Sequence, residues 1–115
     1  MPKNALFVFN GDPMCFIHVL LNALDMKEKG HDVKLIVEGA ATGLLPDLEK
    51  AENPLHALWA KVKNHGLVDG ACKACSQKMG TAADAEKQGL KLLSDMTGHP
   101  GMAAYQQQGY HIITF

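Results

Sequence analysis

The sequence predicts a three-layer α/β/α domain with a mostly parallel five-stranded sheet, filling residues 1–115 as one unit. Three observations lead there. Short apolar runs alternate with helix-like segments in the rhythm β-α-β-α-β-α-β-α-β, and each parallel connection needs such a crossover. Some of the runs are apolar without interruption, as strands covered on both faces must be. No repeat, low-complexity stretch or linker divides the chain, and this length can bury about two-thirds of the unfolded surface in one core.

Ala5-Leu6-Phe7-Val8-Phe9 is the first such run and ends at the turn Asn10-Gly11-Asp12. Asp12 is the expected N-cap of a helix from about Met14 to Lys29, with Pro13 where a missing N–H costs nothing and Gly30 as the stop. Met14, Ile17, Leu21 and Leu24 form one apolar stripe on it, but Phe16, Leu20, Cys15, Val19 and Met26 cover much of the rest. A surface helix carries a polar face. This one is expected to bury a second face against another subunit, or to be the central helix of a small core.

Asp32 to Gly39 reads as the second strand, ending in Glu38 and Gly39. Residues 40–50 read as a loop with a short helix opened by Pro46. Asn53-Pro54 starts the next helix, which Gly66 ends and whose stripe is Leu55, Leu58, Trp59 and Val62. Leu67 to Cys72 is the third strand. Ser76 to Gly80 and Thr81 to Gln88 read as one broken or two short helices, with Thr81 as an N-cap. Leu90 to Leu93 is the fourth strand, Pro100 opens a last helix ended by Gly109, and Tyr110 to Phe115 closes the sheet.

Open parallel sheets bind ligands beyond the carboxyl ends of their strands. On that rim fall Asn10, Gly11 and Asp12 with Cys15 just after them, then Glu38 and Gly39, then Cys72 and Cys75, then Ser94 and Asp95. All three cysteines and Glu38 therefore share one edge, and strand order decides which of them meet.

The formal net charge of −1, with basic residues scattered, offers no footprint for nucleic acid or an anionic membrane. Ala5 to Phe9 is too short for a signal-peptide core, and the run Cys15 to Leu24, interrupted by His18 and Asn22, falls short of the roughly 20 apolar residues of a membrane span. A cytoplasmic protein is expected. Three cysteines, two of them in a C-x-x-C, do not form a secreted disulfide framework.

The stretch Gly70-Ala71-Cys72-Lys73-Ala74-Cys75-Ser76-Gln77-Lys78-Met79-Gly80 carries the chemistry. Thiolate, not thiol, is the nucleophile, and a strand-to-helix corner offers free N–H groups that favour the anion, with Lys73 and Lys78 nearby in sequence. The i, i+3 spacing lets Cys75 reach Cys72, so the pair can close a disulfide or resolve a sulfur adduct. The same pair also fits two small residues packed under a tight corner. Glu38 is a candidate for orienting a thiol or accepting a proton, and a strand-end acid equally fits a solvated cap for a neighbouring helix. The histidines form no spaced ligand set: His18 lies on a helical face, and His31, His65 and His99 read as loop or terminus residues. A zinc site needs about four ligands. With one C-x-x-C and no second pair, no metal is expected, Cys15, Cys72 and Cys75 being the residues that would contribute to one. Neither G-x-G-x-x-G nor G-x-x-x-x-G-K-[ST] occurs, and no cofactor is expected.

In the order and spacing of ALFVFN, VKLIVEGAATGLL, GACKACSQKMG and GYHIITF, the chain resembles the DsrE/DsrF-like family over essentially its full length. The resemblance implies a parallel five-stranded sheet flanked by helices and assembly into trimers or hexamers. It also implies sulfur relay, in which a cysteine after a strand takes up sulfane sulfur as a persulfide and passes it to an acceptor protein. By position, Cys72 or Cys75 matches that cysteine, with the other as resolving thiol and Glu38 as a supporting residue. The relay members have one acceptor cysteine, whereas this chain has a C-x-x-C. Two other readings fit the same residues: a thiol–disulfide redox module, and a non-enzymatic oligomeric protein that binds a small ligand or metal.

Overall fold

In the computed structural model, which describes residues 1–115, the strands are β1 (Lys3–Val8), β2 (Asp32–Val37), β3 (Val68–Cys72), β4 (Leu92–Leu93) and β5 (His111–Thr114). They form one sheet in the order β4-β3-β2-β1-β5, and every neighbouring pair is parallel. The helices are α1 (Pro13–Glu28), α2 (Leu45–Leu48), α3 (His56–Asn64), α4 (Lys73–Met79), α5 (Ala82–Lys87) and α6 (Met102–Gln107). From β1 to β4 the chain steps across the sheet in one direction, and it then returns past β1 to β5. Right-handed crossovers put the helices of the outward steps on one face and the helix of the return step, α6, on the other.

The two cores follow from this and from the two-residue period of a strand. Leu6, Val8, Leu35, Val37 and Ala71 point into the larger core, against Phe16, Val19 and Leu20 of α1, Trp59 and Val62 of α3, and Ala85 of α5. Ala5, Phe7 and Ile36 point the other way, onto Tyr105 of α6 and Tyr110. The Tyr105 hydroxyl donates to Asp69 and the Tyr110 hydroxyl to Asp32, at 2.9 Å in the latter case, which ties the return segment to β2 and β3. The continuous apolar runs of β1 and β2 thus serve both faces.

Several boundaries moved for local reasons. Residues 39–44 form a 3₁₀ helix, not a loop, and Glu38 caps it. Asn53 caps a turn, accepting from the Leu55 N–H at 2.8 Å, so α3 begins only at His56. Thr81 is the N-cap residue of α5 but makes no side-chain capping bond: its hydroxyl donates to the Thr42 carbonyl at 2.9 Å and ties the α4–α5 junction to the 3₁₀ segment. The fourth strand shrinks to two residues because the Leu90 N–H is drawn back to the Ala85 carbonyl. Its approach to β3 needs Gly70, where a Cβ would lie 2.6 Å from the Lys91 carbonyl oxygen.

Helix α1 buries Phe16, Val19, Leu20 and Ala23. Of the stripe Met14, Ile17, Leu21 and Leu24, Met14 (78%) and Leu21 (45%) are exposed, while Ile17 and Leu24 are partly buried against the edge of the core. Both faces are apolar, and the sheet takes the one that seats Phe16 against Trp59, ring centroids 5.9 Å apart. No helix is long and apolar enough to cross a membrane.

Candidate functional site

Because β3 lies between β2 and β4, the segments leaving these three strands meet at the carboxyl edge of the sheet. Glu38 follows β2, Cys72 ends β3, Cys75 lies in the first turn of α4, and His99 sits in the loop from β4 to α6. One carboxylate oxygen, two sulfurs and one imidazole nitrogen from these residues all lie within 4.8 Å of one another.

Cys72 is both the last residue of β3 and the N-cap of α4, which therefore starts at Lys73 instead of Ser76. Its side chain is fully buried. The Cys75 backbone N–H donates to its sulfur at 3.3 Å, and His99 Nδ1 lies 3.1 Å from the same atom. Burial pushes the Cys72 thiol up to about 12, assisted by its side-chain hydrogen bond with Cys75 and by the negative charge of Glu38; the backbone N–H opposes this and loses. Cys72 is consequently a thiol at neutral pH when the site holds no cation.

Cys75 is half-buried, with its sulfur 3.6 Å from His99 Nδ1 and 3.7 Å from Glu38 Oε2. It lines a cleft of 360 Å³ with Gly39, Ala40, Lys78, Met79 and His99. His99 also lines a second cleft, of 550 Å³, together with Glu38, Phe9, Met96 and Met102. The two sulfurs thus differ in access: one faces a cleft, and the other lies behind it.

Glu38 is placed by the β1–β2 ladder, its N–H donating to the Val8 carbonyl at 2.8 Å. Its carboxylate is buried and accepts from the Gly39 N–H at 3.2 Å. His99 is held by a tight turn in which Met96 and His99 exchange backbone hydrogen bonds of 2.7 and 3.0 Å. The central residues have φ of 50° at Thr97 and 89° at Gly98, the left-handed pair of a type I′ turn. A β-branched residue there is strained. The Gly98 carbonyl in turn accepts from the Ala74 N–H at 2.9 Å, fastening the His99 loop to the first turn of α4. Nδ1 can accept from a thiol only in the tautomer protonated at Nε2.

The fold therefore brings Glu38, Cys72 and Cys75 together and leaves Cys15 out of the group. Cys15 follows β1, one strand further from β3, and lies in the first turn of α1. Asn10 and Asp12 serve their own turn, and Asp95 accepts from the Gly101 N–H at 3.1 Å. His99 is the residue that spacing arguments miss. It carries no motif, yet it follows the fourth strand and precedes Pro100, so the rim rule that collects Ser94 and Asp95 extends to it. The C-x-x-C supplies two of these four potential donor residues, and the other two, Glu38 and His99, come from separate loops.

Similarities to known proteins bear on identity. An uncharacterized protein of Methanocaldococcus jannaschii is 39% identical over 97 residues, covering 84% of this chain and 77% of that protein. An uncharacterized protein of Archaeoglobus fulgidus is 48% identical over 40 residues, 35% of this chain and 66% of that protein. A solved structure of a conserved protein of unknown function from Bacteroides thetaiotaomicron superimposes with a TM-score of 0.70 at 18% identity, covering 98% of this chain and 94% of its own, and so shares the fold. The model of the DsrE/DsrF-like family matches residues 3–115. The chain belongs to the DsrE/DsrF-like family.

Proposed function

We propose that this protein handles sulfane sulfur, with Cys75 as the acceptor. The observation that carries the reading is the pair of sulfurs of unequal access sharing one imidazole nitrogen, at 3.1 Å from Cys72 and 3.6 Å from Cys75. His99 Nδ1 takes the Cys75 proton. The thiolate attacks the outer sulfur of a persulfide R–S–SH, the donor S–S bond breaks, and R–S⁻ leaves as Cys75–S–SH forms. An acceptor thiolate then takes the terminal sulfur and restores the Cys75 thiolate. If Cys72 attacks the inner sulfur instead, a Cys72–Cys75 disulfide forms and HS⁻ departs; this resolved state needs a dithiol reductant to return. A relay protein of this kind works in a reducing, cytoplasmic compartment, and its donor and acceptor are thiol proteins.

Intact-mass measurement of the reduced protein after incubation with a persulfide donor tests the assignment. The expected adduct is one sulfur atom, present in Cys72→Ser and absent in Cys75→Ser. An adduct that survives Cys75→Ser overturns it. The closeness of the two sulfurs also supports a thiol–disulfide module, which predicts a reversible internal disulfide and no sulfur uptake.

We also infer self-association through the outer stripe of α1. Met14 and Leu21 are exposed, and the stripe continues into an apolar groove of 560 Å³ lined by Met14, Ile17, Pro54 and Leu55.

A further inference from the structure

We propose that Glu38, Cys72, Cys75 and His99 form a binding site for one thiophilic divalent cation of the zinc type. The inference stands on the donor set and its geometry, independently of any sulfur transfer. Two thiolates, one imidazole nitrogen and one carboxylate suit a borderline-soft ion such as Zn²⁺ over Mg²⁺ or Ca²⁺, which take oxygen.

The spacing fits. Tetrahedral bonds of about 2.0–2.3 Å put the ligand atoms roughly 3.3–3.8 Å apart along each edge. Cys72 Sγ to His99 Nδ1 is 3.1 Å, Cys75 Sγ to His99 Nδ1 is 3.6 Å, and Cys75 Sγ to Glu38 Oε2 is 3.7 Å. The first of these edges is slightly shorter than the range and the other two lie within it; no pair of these atoms exceeds 4.8 Å, so small side-chain rotations open the short edge and close the remaining ones. Supporting hydrogen bonds hold three parts of the site, the Cys72 sulfur, the Glu38 carboxylate and the His99 loop. The Cys75 N–H points at Cys72 Sγ, the Gly39 N–H holds the Glu38 carboxylate, and the Gly98–Ala74 hydrogen bond holds the loop that carries His99. These donors come from the ends of three adjacent strands, so the ion would tie the rim together where β4 contributes only two residues.

On binding, both thiols release their protons to solvent and become metal thiolates, while His99 binds as the neutral ring through Nδ1. The four donors complete the coordination shell, which leaves Cys75 closed to a sulfur donor while the ion is held. Uptake of metal and uptake of sulfur are then mutually exclusive on this rim.

The test is titration of the reduced, metal-free protein with Co²⁺ under anaerobic conditions, followed by competition with Zn²⁺. The expected result is one equivalent bound, with the intense visible bands of tetrahedral cobalt and a thiolate-to-cobalt charge-transfer band that Zn²⁺ abolishes. Cys72→Ser and Cys75→Ser should lose the charge-transfer intensity in part. His99→Ala and Glu38→Gln should weaken binding by about tenfold or more, with folding of each variant checked by circular dichroism. Absence of the charge-transfer band, or affinity unchanged in both His99→Ala and Glu38→Gln, would overturn the four-ligand site. Sulfur uptake by the metal-free protein is read separately, so either reading can fail without the other.

Discussion

The burial of Cys72 can be tested through its reactivity. In the Cys15→Ser/Cys75→Ser double variant Cys72 is the only thiol; burial, the largest cause of its raised pKa, remains, while the hydrogen bond and charge of the Cys75 thiol are removed, so the value of about 12 sets the upper limit of the effect. An ordinary thiol near 8.5 is about one-quarter thiolate at pH 8, while one pushed up to about 12 is about one part in 10⁴ thiolate, a loss of roughly 2,000-fold. Intrinsic nucleophilicity rises with pKa along a Brønsted slope of about 0.4–0.5 and returns roughly 25- to 55-fold. The thiolate fraction wins. Alkylation of the folded protein by iodoacetamide should be slower than in urea by up to roughly 40- to 100-fold, before any steric exclusion at this fully buried sulfur. The rate, followed by intact mass with a chelator present, should still climb tenfold per pH unit near pH 10, whereas the unfolded chain levels off above about 8.5. The stability consequence has the same sign. A thiol raised in the folded state keeps its proton over the window from about 8.5 to about 12, so its contribution is complete below that window and declines as pH rises through it. Equal rates in buffer and urea, or a folded-state plateau near pH 8.5, would refute the placement of this sulfur.

Two further outcomes follow from particular contacts. Gly70→Ala places a Cβ 2.6 Å from the Lys91 carbonyl oxygen and 2.8 Å from Leu93 Cγ, so β4 must retreat and the 2.8 Å bond from the Ala71 N–H to Lys91 is lost. The cost should be about 2–4 kcal/mol in a denaturant titration, and an unchanged midpoint would contradict the close β3–β4 approach. Leu21→Lys should leave the folded monomer within about 0.5 kcal/mol of its stability, because the position is a surface one. In light scattering it should reduce the mass to that of one chain; an assembly that persists would remove α1 from the interface.

The strands β1, β2, β3 and β5, helix α1 and the parallel character of the sheet were legible because period and punctuation are local properties. A five-residue apolar run followed by Asn10-Gly11-Asp12-Pro13 leaves little else for the backbone to do. The 3₁₀ segment after Glu38 was not legible, because Gly39-Ala40-Ala41-Thr42-Gly43 carries no periodic signal and takes its form from the Glu38 cap and from packing against α4. The buried face of α1 could not be chosen from two apolar stripes, since the choice rests on Trp59, 43 positions after Phe16. Gly70 could be seen as a small residue in a strand, but its purpose depends on β4.

The rim follows the same division. That Glu38, Cys72 and Cys75 lie at the carboxyl ends of strands is a property of the sequence alone, because it depends only on where each apolar run stops. That Cys15 stands apart while His99 joins them was decided by the tertiary structure. Placing β3 between β2 and β4 brings three separate loops to one point, and the strained Thr97-Gly98 turn aims a histidine 27 positions after Cys72 at its sulfur. Strand order is a non-local outcome of packing two faces at once, and no local pattern encodes it.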